Sequence, residues 1–573
     1  MRKGRQERGI SAMKPIMIKK QSRRGASLLF VLMLVMVISM VAASLMSLSK
    51  TSMQLTKRNN NRVRNLYVAI AGVEKVKEDL NYYFKENGTA SQEDLQSIYP
   101  PYEFYDHYFY DEDWMPGLVV TKTGDVEQRE VESGNFEGMV AVSQNYDISS
   151  TCRDNFDSMA NVSESVAINA IPLGQFAVFY EKDLEILPGP DFIIEGWVHS
   201  NGDMYVGSHN TLSFDSRITS VGNLFHRRKN DGSVMGGTVR IKDADGNYQS
   251  MRLPDGTGSL DSDHPDWAAQ SITRWGDRVR NNVHGVPKLR LPIEVGEEPH
   301  DIIERADPTD SQQLSDIKFE NKADLKIIDG VGYDAAGNIV PLTYPDPADP
   351  SNTKSIISTK SFYNYREGKT IQVTEIDVAN LIESGVSIGD GVVYVSDTKQ
   401  GGSNQAAVKL ENGSQLPSGG MTLASDNPVY IQGDYNTVNQ QASLVVGDAI
   451  NVLSNSWDDA NGNFGDRNAS DTTVNTVVFT GNTETTPGNY NGGLENVLRF
   501  LEDWGNDTLT FRGSIIDMWY SEVATGDWSY GSPQYKAPTR DWRFDPFYLD
   551  PENQPPGIPL VYAVERLEFA HHY

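Results

Sequence analysis

Three hydrophobic regimes succeed one another along this chain. In the first, residues 26–48 make a run of 23 positions without a charge. Roughly 20 apolar residues cross a bilayer core as a helix, at about 1.5 Å per residue. Ser27, Ser39, Ser44 and Ser47 do not spoil it, because a helical serine bonds back to a carbonyl of the preceding turn. In the second, Leu66, Ile70, Val73, Leu80 and Phe84 recur at helical spacing, with Lys75, Lys77, Glu78 and Asp79 between them. That is one apolar stripe on a continuing helix, ended at Asn87-Gly88 as a left-handed cap would end it. A helix over 26–86 reaches on the order of 90 Å. Asn59-Asn60-Asn61 is its expected weak point, since asparagine is a poor interior helix former. The stripe needs a cover, either a sheet of the same chain or neighbouring helices.

In the third regime, short β-branched and aromatic runs are broken by Gly, Asn and Asp, which predicts strands joined by tight corners. Residues 166–180 read as two strands around Pro172 and Gly174. A quicker beat follows: Ile193-Ile194, Trp197-Val198, Met204-Tyr205-Val206, Leu212-Ser213-Phe214, Ile218-Thr219 and Leu224-Phe225, with corners at Asn201-Gly202, His209-Asn210 and Gly222-Asn223. Such spacing suits a solenoid or a sandwich of short strands. The segment from Val198 to Tyr205 resembles that from Val429 to Asn436, each placing Gly-Asp after an extended run. The two are read as rungs of one right-handed parallel β-helix interrupted by a loop-rich insertion at 228–350, with a β-sandwich as the alternative. More strands are expected at 370–374 and 391–395, and a short helix near 376–384. An amphipathic helix is expected over 493–504, with Leu494, Val497, Leu498 and Leu501 on one face.

The fold class is therefore mainly β: a long N-terminal α-helix, then a large β-rich domain. The domain reading runs 1–25 leader, 26–48 membrane helix, 49–86 stalk, 87–165 connecting region, 166–455 β-rich domain and 456–573 C-terminal α+β region.

Charge orients this arrangement. Residues 1–25 carry nine Lys or Arg and one acid, Glu7. The positive-inside rule places that leader in the cytoplasm and the body outside it, as a single-pass membrane protein. Residues 26–65 add five basic groups and no acid, whereas residues 66–573 hold 36 basic and 77 acidic residues, a balance of −41. Nucleic acid is thereby excluded as a partner of the body, because phosphate contacts need clustered Lys and Arg. The acidity reads as a solubility device. Ala42-Ala43-Ser44 offers a second reading of the run, as a secretory signal with a small-residue cleavage site.

A basic leader ending in Arg24-Gly25, a small residue, an uninterrupted apolar helix and an amphipathic continuation resemble a type IV prepilin. The run Leu66-Tyr67-Val68-Ala69-Ile70-Ala71-Gly72-Val73-Glu74 is similar to the L-Y-x-A-x-A-G-x-E stretch of PilX-like minor pilins. The resemblance implies cleavage between Gly25 and Ala26 by a prepilin peptidase. It also implies packing of the helix with other pilin-like subunits in a pilus or pseudopilus. Major pilins carry a glutamate at the fifth residue after the cut; here that residue is Phe30. The departure favours a minor subunit acting in assembly, priming or adhesion. A plain signal-anchor shares the basic flank and the length but not the Tyr67–Glu74 pattern.

Candidate chemistry is sparse. Asp459, Asn461, Asn463 and Asp466 set oxygen ligands in the manner of a calcium loop, although Gly465 stands one place late and no closing glutamate follows. Calcium is the one cofactor considered. Asp243, Asp245 and Asn247 look similar and read better as a hairpin turn. Cys152 is the single cysteine, so intrachain disulfides and multi-cysteine zinc sites are excluded; it reads as a buried thiol. Gly202-Asp203 and Gly433-Asp434 read as corners rather than a catalytic carboxylate pair, and the tryptophans 504, 519, 528 and 542 as core or sheet covering. No nucleophile elbow, metalloprotease helix or phosphate loop is present, and the expectation is a protein that is not an enzyme. The alternatives are a surface-anchored carbohydrate-binding or carbohydrate-active β-helix, and an anchored scaffold.

Overall fold

The computed structural model describes residues 24–87, 94–95, 103–104, 107–111, 113, 115–156, 158–398 and 403–572. The protein is mostly β, with a long apolar helix at its N-terminal end and a large β domain after it. One helix spans Arg24–Asn87 without a break. Asn59, Asn60 and Asn61 lie inside it, contrary to the expected weak point. The cost of an asparagine in a helix, under about 1 kcal/mol each, is small beside the apolar burial that anchors the next turns.

That burial is supplied by an antiparallel sheet of the same chain. Leu118–Glu130, Val140–Asp154, Met159–Pro172 and Leu560–His572 are its long strands. The last strand of the protein pairs with Met159–Pro172, from Leu560↔Pro172 to His572↔Asn161. The region 87–165, expected to be a connection, thus holds most of this sheet, and the C-terminal region returns to it. Everything from residue 173 to 559 is inserted between two neighbouring strands.

The inserted body is a coil of parallel strands. Phe176–Tyr180, Leu184–Ile186 and Phe192–Ile194 each belong to a different sheet, and the next three strands, Trp197–Ser200, Met204–Val206 and Thr211–Phe214, stack on them in parallel. Leu184 partners Met204, Met204 partners Leu224, and Val198 partners Ile218. The sequence offset is the same in all three pairs, so the windings here are of equal length. Successive strands in different sheets, paired in parallel, are incompatible with the antiparallel sandwich alternative. The beat expected over 192–225 falls on these strands.

The windings do not follow chain order. One half runs from 176 to 280. The chain then passes along the outside through residues 281–324 and starts a second half at Leu325–Ile328. This second half winds toward the first until Thr508–Tyr520 pairs with Phe176–Tyr180, the first strand of the first half. A single apolar ladder crosses the join: Leu325, Val393, Leu423, Val445, Val478, Ile515, Val178, Val198, Ile218 and Val279, each in register with the next. All of them are buried in one core. Shape-matched layers of this kind let each winding bury the face of its neighbour.

The long sheet also has an apolar outer face, where Tyr394, Ala424, Val446, Phe479, Ile516 and Phe179 lie in register. The crossing segment covers it like a strap, burying Leu289, Leu291, Ile302, Ile303, Leu314 and Phe319 there. Asn201 pins the strap: its Oδ1 accepts from Leu289 N–H at 3.0 Å and its Nδ2 donates to Leu289 O at 2.5 Å.

Several expectations are revised. The segment 228–350 is not a simple insertion, because Thr238–Lys242, Val279–Arg280 and Leu325–Ile328 are strands of the coil. The helix Trp267–Trp275 puts Trp267 and Trp275 into its core. Val198 and Val429 do not occupy equivalent rungs: Trp197–Ser200 is in the long sheet, whereas Val429–Gln432 is in a separate five-stranded sheet. Over 493–504 only Leu494–Asn496 is helical, as a single 3-10 turn. Beyond it Arg499 N–H donates to Ile450 O, and Val452 N–H donates to Arg499 O. Backbone partners on existing windings, unavailable to an isolated segment, outweigh the local period. The short helix near 376–384 does form, as Val378–Ser384, with Asp377 capping Asn380 N–H.

Candidate functional site: the two halves of the N-terminal helix

The first half of the helix is apolar on every side. Each residue from Leu28 to Ile38 is a large apolar side chain, and all are exposed, Phe30 by 71%. A helix apolar all round belongs in a membrane or among other helices, not on a water-facing surface. By length and composition this helix can cross a membrane. Gly25 and Ala26 lie in its first turn; residues 1–23 of the leader fall outside the described residues.

The second half is gripped. Ala69, Val73, Val76, Leu80 and Phe84 are buried against Leu118, Val120, Tyr146, Ile148, Val162 and Val166 of the sheet. The expected stripe is thus shifted slightly, with Leu66 and Ile70 only half-buried at its start. Gly72 makes the closest approach: a Cβ there would come 2.7 Å from the Phe109 ring and 2.8 Å from Ser150 Oγ. A side chain would push the helix off the sheet, which gives this glycine of the Leu66–Glu74 pattern a physical reason.

Charges lock the same contact. Glu164 on the sheet is fully buried and lies 2.5 Å from Arg566 Nε and 3.5 Å from Lys77 Nζ. Glu74 pairs with Lys77 at 2.5 Å and also with Arg566. Burial alone would raise the Glu74 pKa, but Lys77 and Arg566 together hold it below the usual carboxylate value. The last strand, the middle strand and the helix therefore share one ion network. Past the middle of the helix Asn65 Nδ2 donates to Ser158 O at 2.6 Å, and Lys57, nearer the midpoint, lies 4.5 Å over the Phe156 ring. The boundary between the exposed and gripped halves falls there.

The remaining candidates have structural roles. Cys152 is buried in the helix–sheet core, and burial pushes its thiol up to about 12, far from a reactive thiolate. Asp203 Oδ1 accepts from Asn223 N–H at 2.7 Å, while Asp434 Oδ1 accepts from Thr473 N–H at 2.9 Å. These corner aspartates stitch one winding to the next. A Cβ on Gly222 would meet Asp203 Oδ1 at 2.2 Å, so the corner needs glycine. Asp243 accepts from Asn247 N–H and closes a hairpin between Thr238–Lys242 and Tyr248–Ser250, as expected.

The four calcium candidates are otherwise engaged. Asp459 gives one carboxylate oxygen to the buried Lys409 Nζ at 2.6 Å and the other to Trp457 Nε1 at 2.7 Å. Asn461 and Asn463 turn amide donors, not oxygens, toward Asp466, at 3.2 and 3.3 Å. This donor set does not fit a calcium shell, which takes oxygens from all its ligands. Three residues that sequence spacing did not bring together do converge: His300 and Glu304 on the strap, and Glu522 just after the strand Thr508–Tyr520. Only the i, i+4 relation of His300 and Glu304 is visible locally.

No protein-family model matches the chain, and no curated protein matches it. Among solved structures, the competence-associated pilin ComZ from Thermus thermophilus is similar over 89% of this chain and 97% of its own, at 13% identity and a TM-score of 0.26. At that identity and score the likeness establishes neither a shared fold nor a shared function.

Proposed function

We propose that this chain is a membrane-anchored, PilX-like minor pilin or pseudopilin. Its apolar half-helix would sit in the membrane and then among other pilin-like subunits. The large body would be carried outside for assembly, priming or adhesion of a filament. The observation that carries this reading is the asymmetry of one continuous helix, apolar and bare as far as Leu48, then gripped by its own sheet from Asn65. A subunit that must leave a bilayer and join other helices needs a bare half of this kind, and a rigid hold on the other half transmits its position to the body. The basic leader and the Arg24-Gly25-Ala26 junction support processing by a prepilin peptidase. The coil is taken as a right-handed β-helix without a catalytic role.

N-terminal sequencing of the mature protein tests the reading. A start at Ala26 is expected. An intact leader, or a start near residue 45, overturns it.

A further inference from the structure

The strap carries a cluster that the filament reading does not use. His300 is only 5% exposed and sits edge-on to Trp519, with ring centroids 5.5 Å apart. Its Nδ1 lies 3.0 Å from Glu304 Oε1 and 3.9 Å from Glu522 Oε1. The three candidate ligand atoms all fall within 4.8 Å of one another. Ligands about 2.1 Å from a tetrahedral zinc stand about 3.4 Å from each other, so these separations bracket what an ion would draw in.

Two further observations point to a cation. The other ring nitrogen, Nε2, is buried without a hydrogen bond and lies 3.5 Å from Oδ1 of the buried Asp448. A metal-bound histidine donates its second N–H to a carboxylate, and Asp448 stands beside Nε2 where that partner would be. Asp448 is itself fixed, accepting from the backbone N–H groups of Glu522, Val523 and Ala524 at 2.6, 3.1 and 2.8 Å. The residue that supplies one ligand is therefore positioned by the residue that orients another.

The second observation is charge. Three carboxylates surround one imidazole, and among the described residues no Lys or Arg lies in ion-pair range of Glu304 or Glu522. The cluster lines a cavity of 710 Å³ that Glu297, Asp301, Asp307, Asp397 and Asp426 also line. The two cations there are spent elsewhere, Arg305 on Glu320 at 2.9 Å and Lys318 on Asp310 at 2.8 Å.

We infer that His300 Nδ1, Glu304 and Glu522 bind a divalent first-row transition metal ion, with zinc the best match, clasping the strap to the coil. One imidazole and two carboxylates suit such ions better than calcium or magnesium, which prefer oxygen alone. Three protein ligands leave a fourth position open toward the cavity, where water completes the shell.

The test uses the full chain in detergent, stripped with chelator and titrated with zinc chloride. The background is His571→Ala with His572→Ala, which removes the terminal pair as a competing site. One zinc per chain is expected, with a rise in melting temperature. Glu522→Gln, at a side chain 64% exposed and so harmless to folding, lowers affinity by about tenfold or more, as does His300→Ala. Zinc binding of unchanged affinity in Glu522→Gln, or no zinc binding by the parent, overturns the inference. In the second case His300 is a protonated hub among its carboxylates and nothing more.

Discussion

The helix-and-sheet unit and the parallel coil solve the same problem with opposite means. In the first, the C-terminal half of the helix lies on a sheet whose strands come from both ends of the chain, and an ion network locks the contact. In the second, each winding covers the next with a ladder of like-sized apolar residues, and polar groups sit at corners. The unit depends on a few non-repeated contacts; the coil spreads its stability over many equivalent ones. The unit should therefore fail at single sites, whereas the coil should respond locally.

Val73→Asp should separate the two regions most strongly. A carboxylate in the helix–sheet core has no partner, and destabilisation of about 3–5 kcal/mol is expected. Hydrogen exchange should accelerate over residues 118–172 and 560–572 while residues 176–225 keep their protection. Equal loss in both regions would show that they fold as one cooperative piece. Arg566→Ala comes next. It leaves Glu164 buried with Lys77 as its remaining cation, at 3.5 Å, and should cost about 2–3 kcal/mol, read by urea denaturation monitored in the same segments.

A buried acid probes the coil. Glu502 is fully buried, and burial pushes its pKa up to about 7 from 4.5, against bonds from Ser454 N–H and Oγ–H that favour its ionised form. A folded-state pKa above the unfolded value means that the folded state holds the proton more tightly. Glu502 therefore contributes full stability below pH 4.5 and loses it as pH rises to 7. Glu502→Gln removes that loss, so the variant should be more stable than the parent by about 2 kcal/mol at about pH 8 and equal to it at about pH 4.5. Melting curves at the two pH values check this, and an unchanged pH profile would refute it. The smallest effect expected is that of calcium. Because Asp459 is committed to Lys409 and Trp457, calcium at about 1 mM, ample for an extracellular site, should leave the melting temperature unmoved.

Legibility in the sequence followed the same division. The strands of 192–225 could be read because the windings there are of equal length, so corners return on a fixed beat. In the second half of the coil the steps from Val393 to Leu423, from Leu423 to Val445 and from Val445 to Val478 are all unequal. No period survives to be seen, although the ladder is the same. For the cover of the helical stripe, the sequence leaves open the choice between the chain's own sheet and neighbouring helices. The sheet's final strand is separated from its partner by the whole inserted coil, and nothing near either strand announces the pairing.

Local period and composition were enough for the long helix, its bare apolar half, the charge asymmetry between its two flanks and the mainly β character of the body. A short segment expresses such features without help. Folding in three dimensions settled the rest. The C-terminal strand closes the N-terminal sheet, the coil is assembled from two halves out of chain order, and residues 497–504 bridge to other windings through Arg499 and Asp503 rather than forming a helix. His300, Glu304 and Glu522 meet for the same reason. Each of these depends on backbone hydrogen bonds and burial between residues far apart in the chain. Such partners exist only once the other windings are in place, so no local pattern encodes them.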